Sequence, residues 1–227
     1  MKTQALTWPS KLSMMLCGVL LAFVICLAGL IFVTQNIILL NKNGWLTVDS
    51  IGSQDADFFT RAVIAKIGLF ANSKEKTLYF AALPDAKIDY QKLFAGPKYW
   101  FALDSRQRYQ IVGNTHLPAG WWNITAYNQD EFLVPNEEGQ YSFLGQNLVT
   151  NESGDFVIDV ASERPANAQN WLPVPKGAPF NLKLRIYEPG VELYEQIASF
   201  PLPKLIQLDR ARFPNNQEQI VGGVHDE

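Results

Sequence analysis

The sequence predicts a mainly β protein, an antiparallel sandwich or barrel carried on one N-terminal transmembrane helix with one or two short helices besides. Three observations lead there. No Lys, Arg, Asp or Glu lies between Lys11 and Lys42, so 30 consecutive positions are uncharged. Beyond them, short runs of aromatic and β-branched residues alternate with turn residues, which is how strands and their connections read in sequence. The chain of 227 residues also contains 28 aromatic residues, too many for a polymer that buries no core.

The first element is the uncharged run. Leu16, Val19, Leu20, Leu21, Phe23, Val24, Ile25, Leu27, Leu30, Ile31 and Phe32 make it almost continuously apolar. About 20 such residues span a bilayer as a helix, the only open-chain form whose backbone is self-satisfied in lipid. A cleaved signal peptide would have a shorter apolar region, ending at a small-x-small site. Ile31-Phe32-Val33-Thr34-Gln35 offers no such site, and neither Cys17 nor Cys26 follows the small residue that lipidation requires. Residues 12–40 are therefore read as an uncleaved anchor in contact with the lipid bilayer, after a cytoplasmic N-terminus of residues 1–11. Lys2, Lys11 and the amino terminus precede it, whereas Asp49, Asp55 and Asp57 come before the second basic residue that follows it, Arg61. The positive-inside rule then puts the C-terminal domain outside the cytoplasmic membrane.

Residues 41–53 read as a polar tether and 54–210 as the folded domain. Residues 54–70 predict a helix: Asp55 and Asp57 suit its first turn, and Phe58, Ala62, Ala65 and Leu69 recur at helical spacing. With only Arg61 and Lys66 as basic residues it is read as docking on the core rather than lying on lipid. Strands are expected at Thr77–Ala82, Tyr99–Leu103, Arg108–Val112, Trp121–Tyr127, Phe132–Val134, Tyr141–Phe143, Asp155–Val160, Asn181–Tyr187 and Leu205–Leu208. Four prolines make 165–179 an extended loop, a short helix is expected near Val191–Ser199, and 211–227 is a polar tail.

Alternation sorts the faces of two strands. Trp122, Ile124 and Ala126 share one side, Trp121, Asn123, Thr125 and Tyr127 the other. Phe180, Leu182, Leu184 and Ile186 oppose Asn181, Lys183, Arg185 and Tyr187. The polar-aromatic side is either an ordinary solvated face or a shallow binding surface suited to a sugar or another polar ligand. Arg185, between apolar neighbours, needs a carboxylate, a carbonyl or water as partner.

Catalytic patterns are sparse. The two histidines, His116 and His225, form no zinc motif, and no nucleophile elbow, phosphate loop or dinucleotide fingerprint occurs. No metal or cofactor site is expected. Asp130/Glu131 and Glu137/Glu138 read as solubilising turn charges, and Asp155 and Asp159 lie on one side of a strand. Past Leu40 the chain has 17 basic and 22 acidic residues, which argues against nucleic-acid binding. The domain has no cysteine, hence no disulfide and no thiolate site. Asn123-Ile124-Thr125 and Asn151-Glu152-Ser153 match the glycosylation acceptor pattern.

Several ordered blocks resemble the bacterial domain-of-unknown-function 1214 family: Trp121-Trp122-Asn123-Ile124-Thr125-Ala126-Tyr127, Phe132-Leu133-Val134-Pro135-Asn136, Tyr141-Ser142-Phe143, Asn170-Trp171-Leu172-Pro173, and Phe180 to Pro189. Arg61-Ala62-x-x-Ala65 and Leu78-Tyr79-Phe80 are similar to its short, membrane-anchored members. The resemblance covers roughly residues 50–210. It implies a β-sandwich of jelly-roll type in the envelope of a Gram-negative bacterium and implies no activity. Asp85–Lys98 is longer than the family pattern, and the tail after Arg212 departs from it.

Two functions compete. One is a non-enzymatic binding or structural module, periplasmic on a single-pass inner-membrane anchor, whose partner is a glycan, a lipid or an envelope protein. Its candidate ligand-binding residues are Trp121, Asn123, Tyr127, Asn136, Asn170, Trp171, Arg185 and Tyr187. The other is an envelope hydrolase acting on a glycan or other polymer through Asp155, Asp159 or His116. A deep pocket with converging acids would favour the enzyme, a shallow aromatic strip the binder.

Overall fold

A computed structural model describes residues 8–36, 38–48, 75–84 and 101–208, with single positions at 56, 58, 61, 73 and 91. The expected helix over 54–70, apart from three of those positions, and the tail after 210 lie outside the described residues.

Helix α1 runs Trp8–Asn36, with Pro9 in its first turn, where a missing N–H costs nothing. Side chains from Lys11 to Gly29 pack on nothing else in the protein. Among the described residues ten strands follow: β1 Ile38–Asn41, β2 Trp45–Val48, β3 Thr77–Ala82, β4 Arg108–Asn114, β5 Ala119–Asn128, β6 Ser142–Leu144, β7 Asp155–Ala161, β8 Asn170–Pro173, β9 Phe180–Pro189 and β10 Lys204–Leu208. A short helix α2, Val191–Glu195, separates the last two. One sheet has the order β1-β2-β3-β9-β5-β6, the other β10-β4-β7-β8. The chain crosses between sheets five times from β3 to β10, the wrapping of a jelly-roll sandwich.

Strand alternation explains why the sheets stack. Leu78 and Phe80 of β3, Trp122, Ile124 and Ala126 of β5, and Leu182, Leu184 and Ile186 of β9 face Tyr109 and Ile111 of β4 and Phe156, Ile158 and Val160 of β7 in a single buried cluster. Trp122 meets Phe156 across the layers at 5.5 Å, and Tyr109 meets Phe180 edge-on at 5.9 Å. Gly145 makes room for the indole: a Cβ there would stand 2.5 Å from Trp122 Nε1.

Four expectations change. Residues 38–40 do not continue the anchor and 41–48 are not a tether. β1 and β2 form a hairpin whose loop places Gly44 at φ 91°, and Gly44 N donates to Asn41 O at 3.1 Å. This three-residue loop with a left-handed last residue is a standard hairpin connection. The hairpin adds two strands to the larger sheet through the Trp45–Ala82 and Leu46–Ala81 pairs. Its tip is fastened: Asn41 Nδ2 donates to the carbonyls of Ile197 (2.6 Å) and Phe200 (2.9 Å), Asn43 Nδ2 to Leu202 O, and Trp45 Nε1 to Pro203 O (2.6 Å). The loop 165–179 contains β8, which pairs with β7 in parallel, the exception to the antiparallel rule among the described pairs. Pro173 is tolerated because β8 is an edge strand. Phe132–Val134 and, of the expected strand at 99–103, the described part make only isolated bridges, Leu133 with Tyr127 and Leu103 with Phe180.

Candidate functional site

The side of β9 that turns away from the core carries Asn181, Lys183, Arg185 and Tyr187. The ladders set beside them Tyr127, Thr125, Asn123 and Trp121 of β5 and, from Lys183 onward, Ala81, Tyr79 and Thr77 of β3. Five of the eight candidates, Trp121, Asn123, Tyr127, Arg185 and Tyr187, thus share one surface. At one end Trp121 stacks on Tyr187 with centroids 3.6 Å apart and planes 7° off parallel, and Trp121 is still 42% exposed. In the middle Arg185 Nη1 donates to Tyr127 Oη at 2.8 Å, its guanidinium 5.3 Å from that ring. At the far end Glu131 Oε1 lies 3.2 Å from Lys183 Nζ and accepts from Asn181 Nδ2 at 3.0 Å.

This face is not openly solvated. Thr77, Ala81, Thr125 and Asn181 are buried although they point away from the core. Phe101 forms part of the cover, its ring 5.8 Å from Lys183 Nζ. Burial pushes the Tyr187 phenol above its ordinary value; Arg185 pulls it back, while Tyr79 and Tyr127 reinforce the rise. Arg185, half-buried, meets no carboxylate among the described residues; its partner is a neutral phenol, which the sequence did not anticipate. Two buried amide oxygens here, Asn123 Oδ1 and Asn181 Oδ1, accept no hydrogen bond. An arginine without an acid beside two acceptors without donors is an incomplete polar set.

The other three candidates lie apart, with their polar atoms engaged in the fold. Asn136 ties the loop before β6, donating to Val134 O and Gln140 O and accepting from Gln140 N. Asn170 is buried, with its amide paired to Val149 on both sides and to Val157 O. Trp171 lies on the four-stranded sheet and donates to Ala161 O at 2.9 Å. Tyr79, Lys183 and Glu131 belong to the face but were not among the candidates. For Lys183, alternation already signalled the side; for Tyr79 the available signal is its place between Leu78 and Phe80, which face the core. Glu131 was read as a solubilising turn charge; the loop geometry that aims it at Lys183 has no simple sequence signal.

The residues of the hydrolase reading are distributed elsewhere. Asp155 accepts from Asn114 Nδ2 (2.8 Å) and Asn151 Nδ2 (3.0 Å), which hold its carboxyl below the ordinary range, with a smaller pull from His116. His116 Nδ1 contacts Asn114 Oδ1 at 2.6 Å in the same exposed cluster. Asp159 accepts from Gln110 Nε2 at 3.0 Å. A shallow groove of 430 Å³ runs between Arg106, Arg108, Glu163 and Lys176. Its charges neutralise one another: Arg106 with Asp104 at 3.0 Å, Lys176 with Glu163 at 2.7 Å, Arg108 with Asp159 at 3.8 Å. No group of three potential metal ligands occurs among the described residues.

No curated protein sequence matches the chain. Among solved structures, it is similar to the VPA0106 protein from Vibrio parahaemolyticus, with 17% identity and a TM-score of 0.49 over 68% of this chain and 36% of that one. It is also similar to an uncharacterized protein from Burkholderia cenocepacia, with 16% identity and a TM-score of 0.42 over 67% of this chain and 34% of that one. The chain therefore spans about a third of the length of either protein. Residues 101–191 match the family described as "Protein of unknown function (DUF1214)". That region holds β4 through β9 and most of the polar-aromatic face, and the match is to the same family that the tryptophan and asparagine blocks resemble.

Proposed function

We propose that the protein is a single-pass, membrane-anchored module whose sandwich lies outside the cytoplasmic membrane and binds an anionic, hydroxyl-bearing ligand on the β5–β9 face. The charge-free stretch of α1 after Lys11, with Lys2 and Lys11 ahead of it, supports the anchor and its orientation. One observation carries the ligand reading: among the described residues Arg185 meets no acid, and Asn123 Oδ1 and Asn181 Oδ1 lack donors. A ligand with an acid group and hydroxyls supplies both, and Trp121 offers a flat face against which a ring can stack. An acidic saccharide has this chemistry.

The test is calorimetric titration of the full chain in nanodiscs with a soluble oligogalacturonide. Arg185→Gln is expected to weaken binding roughly ten- to a hundredfold, the scale of one charge-assisted hydrogen bond. A neutral oligosaccharide bound as tightly, or an unchanged Arg185→Gln variant that melts like the parent, refutes the reading.

A further inference from the structure

Resting on that reading, we infer that the face takes its ligand from the bilayer itself, as the phosphate-bearing headgroup of an anionic phospholipid beside α1. The argument is one of register. Ile38 pairs with Val48, and the β2–β3 ladder, continued from Trp45–Ala82 and Leu46–Ala81, sets Val48 level with Tyr79. Tyr79 pairs with Arg185, and Arg185 with Asn123. The point where the chain leaves α1 is therefore level with the Arg185 row. The Trp121–Tyr187 pair lies one row further toward the side from which α1 arrives, about 7 Å along the strands.

Depth follows from the helix. The apolar run ends at Val33 and α1 at Asn36, so the helix end lies about 5 Å beyond the hydrocarbon edge at helical rise, and Ile38 lies farther out. The headgroup layer is about 5–8 Å thick on each side. For strands that continue the direction of an upright α1, Ile38 and Arg185 stand at its outer limit, and Trp121 and Tyr187 stand within it. Four strand spacings, about 19 Å, separate β1 from β5, so the row reaches lipids outside the immediate ring around α1. An exposed Trp paired with a Tyr is the residue chemistry that settles at this depth. A guanidinium that meets no acid among the described residues, just beyond it, is matched to phosphate.

The experiment uses the full chain in nanodiscs containing a minor fraction of acyl-brominated lipid. Trp121 emission is taken as the difference between the parent and Trp121→Phe. Brominated phosphatidylglycerol is expected to quench it roughly twofold more than brominated phosphatidylcholine at equal content, because the anionic lipid is enriched at the site. Arg185→Gln should erase that preference while melting like the parent. Equal quenching by both lipids, or no Trp121-dependent quenching, overturns the inference. If oligogalacturonide still binds through Arg185 in that case, the face is a ligand site that the bilayer does not fill. If neither probe depends on Arg185, both readings fail.

Discussion

Glu131 reaches Lys183 from a backbone that glutamate rarely adopts: its φ is 65°, and Oε1 stands 3.2 Å from Nζ. The loop is a near copy of the hairpin turn at residues 42–44, where the equivalent left-handed position is Gly44. A side chain in that region costs roughly 1–2 kcal/mol per residue. Glu131→Ala keeps the strain and loses the contacts to Lys183 and Asn181, so it should destabilise by about 1–3 kcal/mol. Glu131→Gly loses the same contacts but relaxes the backbone, and should be the milder variant by about 1 kcal/mol. Urea unfolding of the two proteins measures the difference. Equal midpoints would show that the turn is not strained.

The adjacent tryptophans should behave oppositely. Trp122 is in the core against Phe156, and Trp122→Ala should cost about 3–5 kcal/mol. Trp121 loses mainly its stack on Tyr187, worth about 0.5–1.5 kcal/mol. Thermal melts rank them, and a larger loss at Trp121 would contradict the burial described.

Asn41 binds two carbonyls of the segment after α2. Asn41→Ala leaves both without a donor, at a cost of about 1–3 kcal/mol. The same logic sets the domain boundary. A fragment beginning at Ile38 should melt well above one beginning at Asn43, which lacks β1 and Asn41. Coincident melts would mean that the hairpin adds nothing to the fold.

Asp155 gives a pH dependence. Its carboxyl is held below the ordinary value by the Asn114 and Asn151 amides, so folding favours the ionised form. That contribution is complete above the unfolded value and is lost as pH falls through the lower folded value. The melting difference between the parent and Asp155→Asn should be constant near neutrality and shrink below about pH 4. A difference that grows on acidification would reverse the assignment.

The strands that wrap the core were legible because β5 and β9 alternate without interruption, and period two fixes which side faces inward. The grouping of Trp121, Asn123, Tyr127, Arg185 and Tyr187 followed from the same alternation once β5 and β9 proved to be neighbours. Asn136, Asn170 and Trp171 were grouped with them by sequence block, yet the loop before β6 and the edge strand β8 that carry them need their amides and indole for backbone carbonyls. The hairpin was missed for a different reason. Ile37 to Leu40 resume the apolar run after only three polar, uncharged residues, Thr34-Gln35-Asn36, so the absence of charge hides the point where helix gives way to strand, and only Asn43-Gly44 hinted at the turn.

A 13-residue flexible tether, as 41–53 was read, would let the domain swing over about 20 Å from its attachment. The fastened hairpin leaves a single residue, Ile37, between α1 and the sheet. On the proposed anchoring, so short a link keeps the domain a boss against the membrane rather than a tethered float. It samples only a layer of its own thickness, whatever it binds must come to that layer, and lateral diffusion in the membrane sets how often they meet.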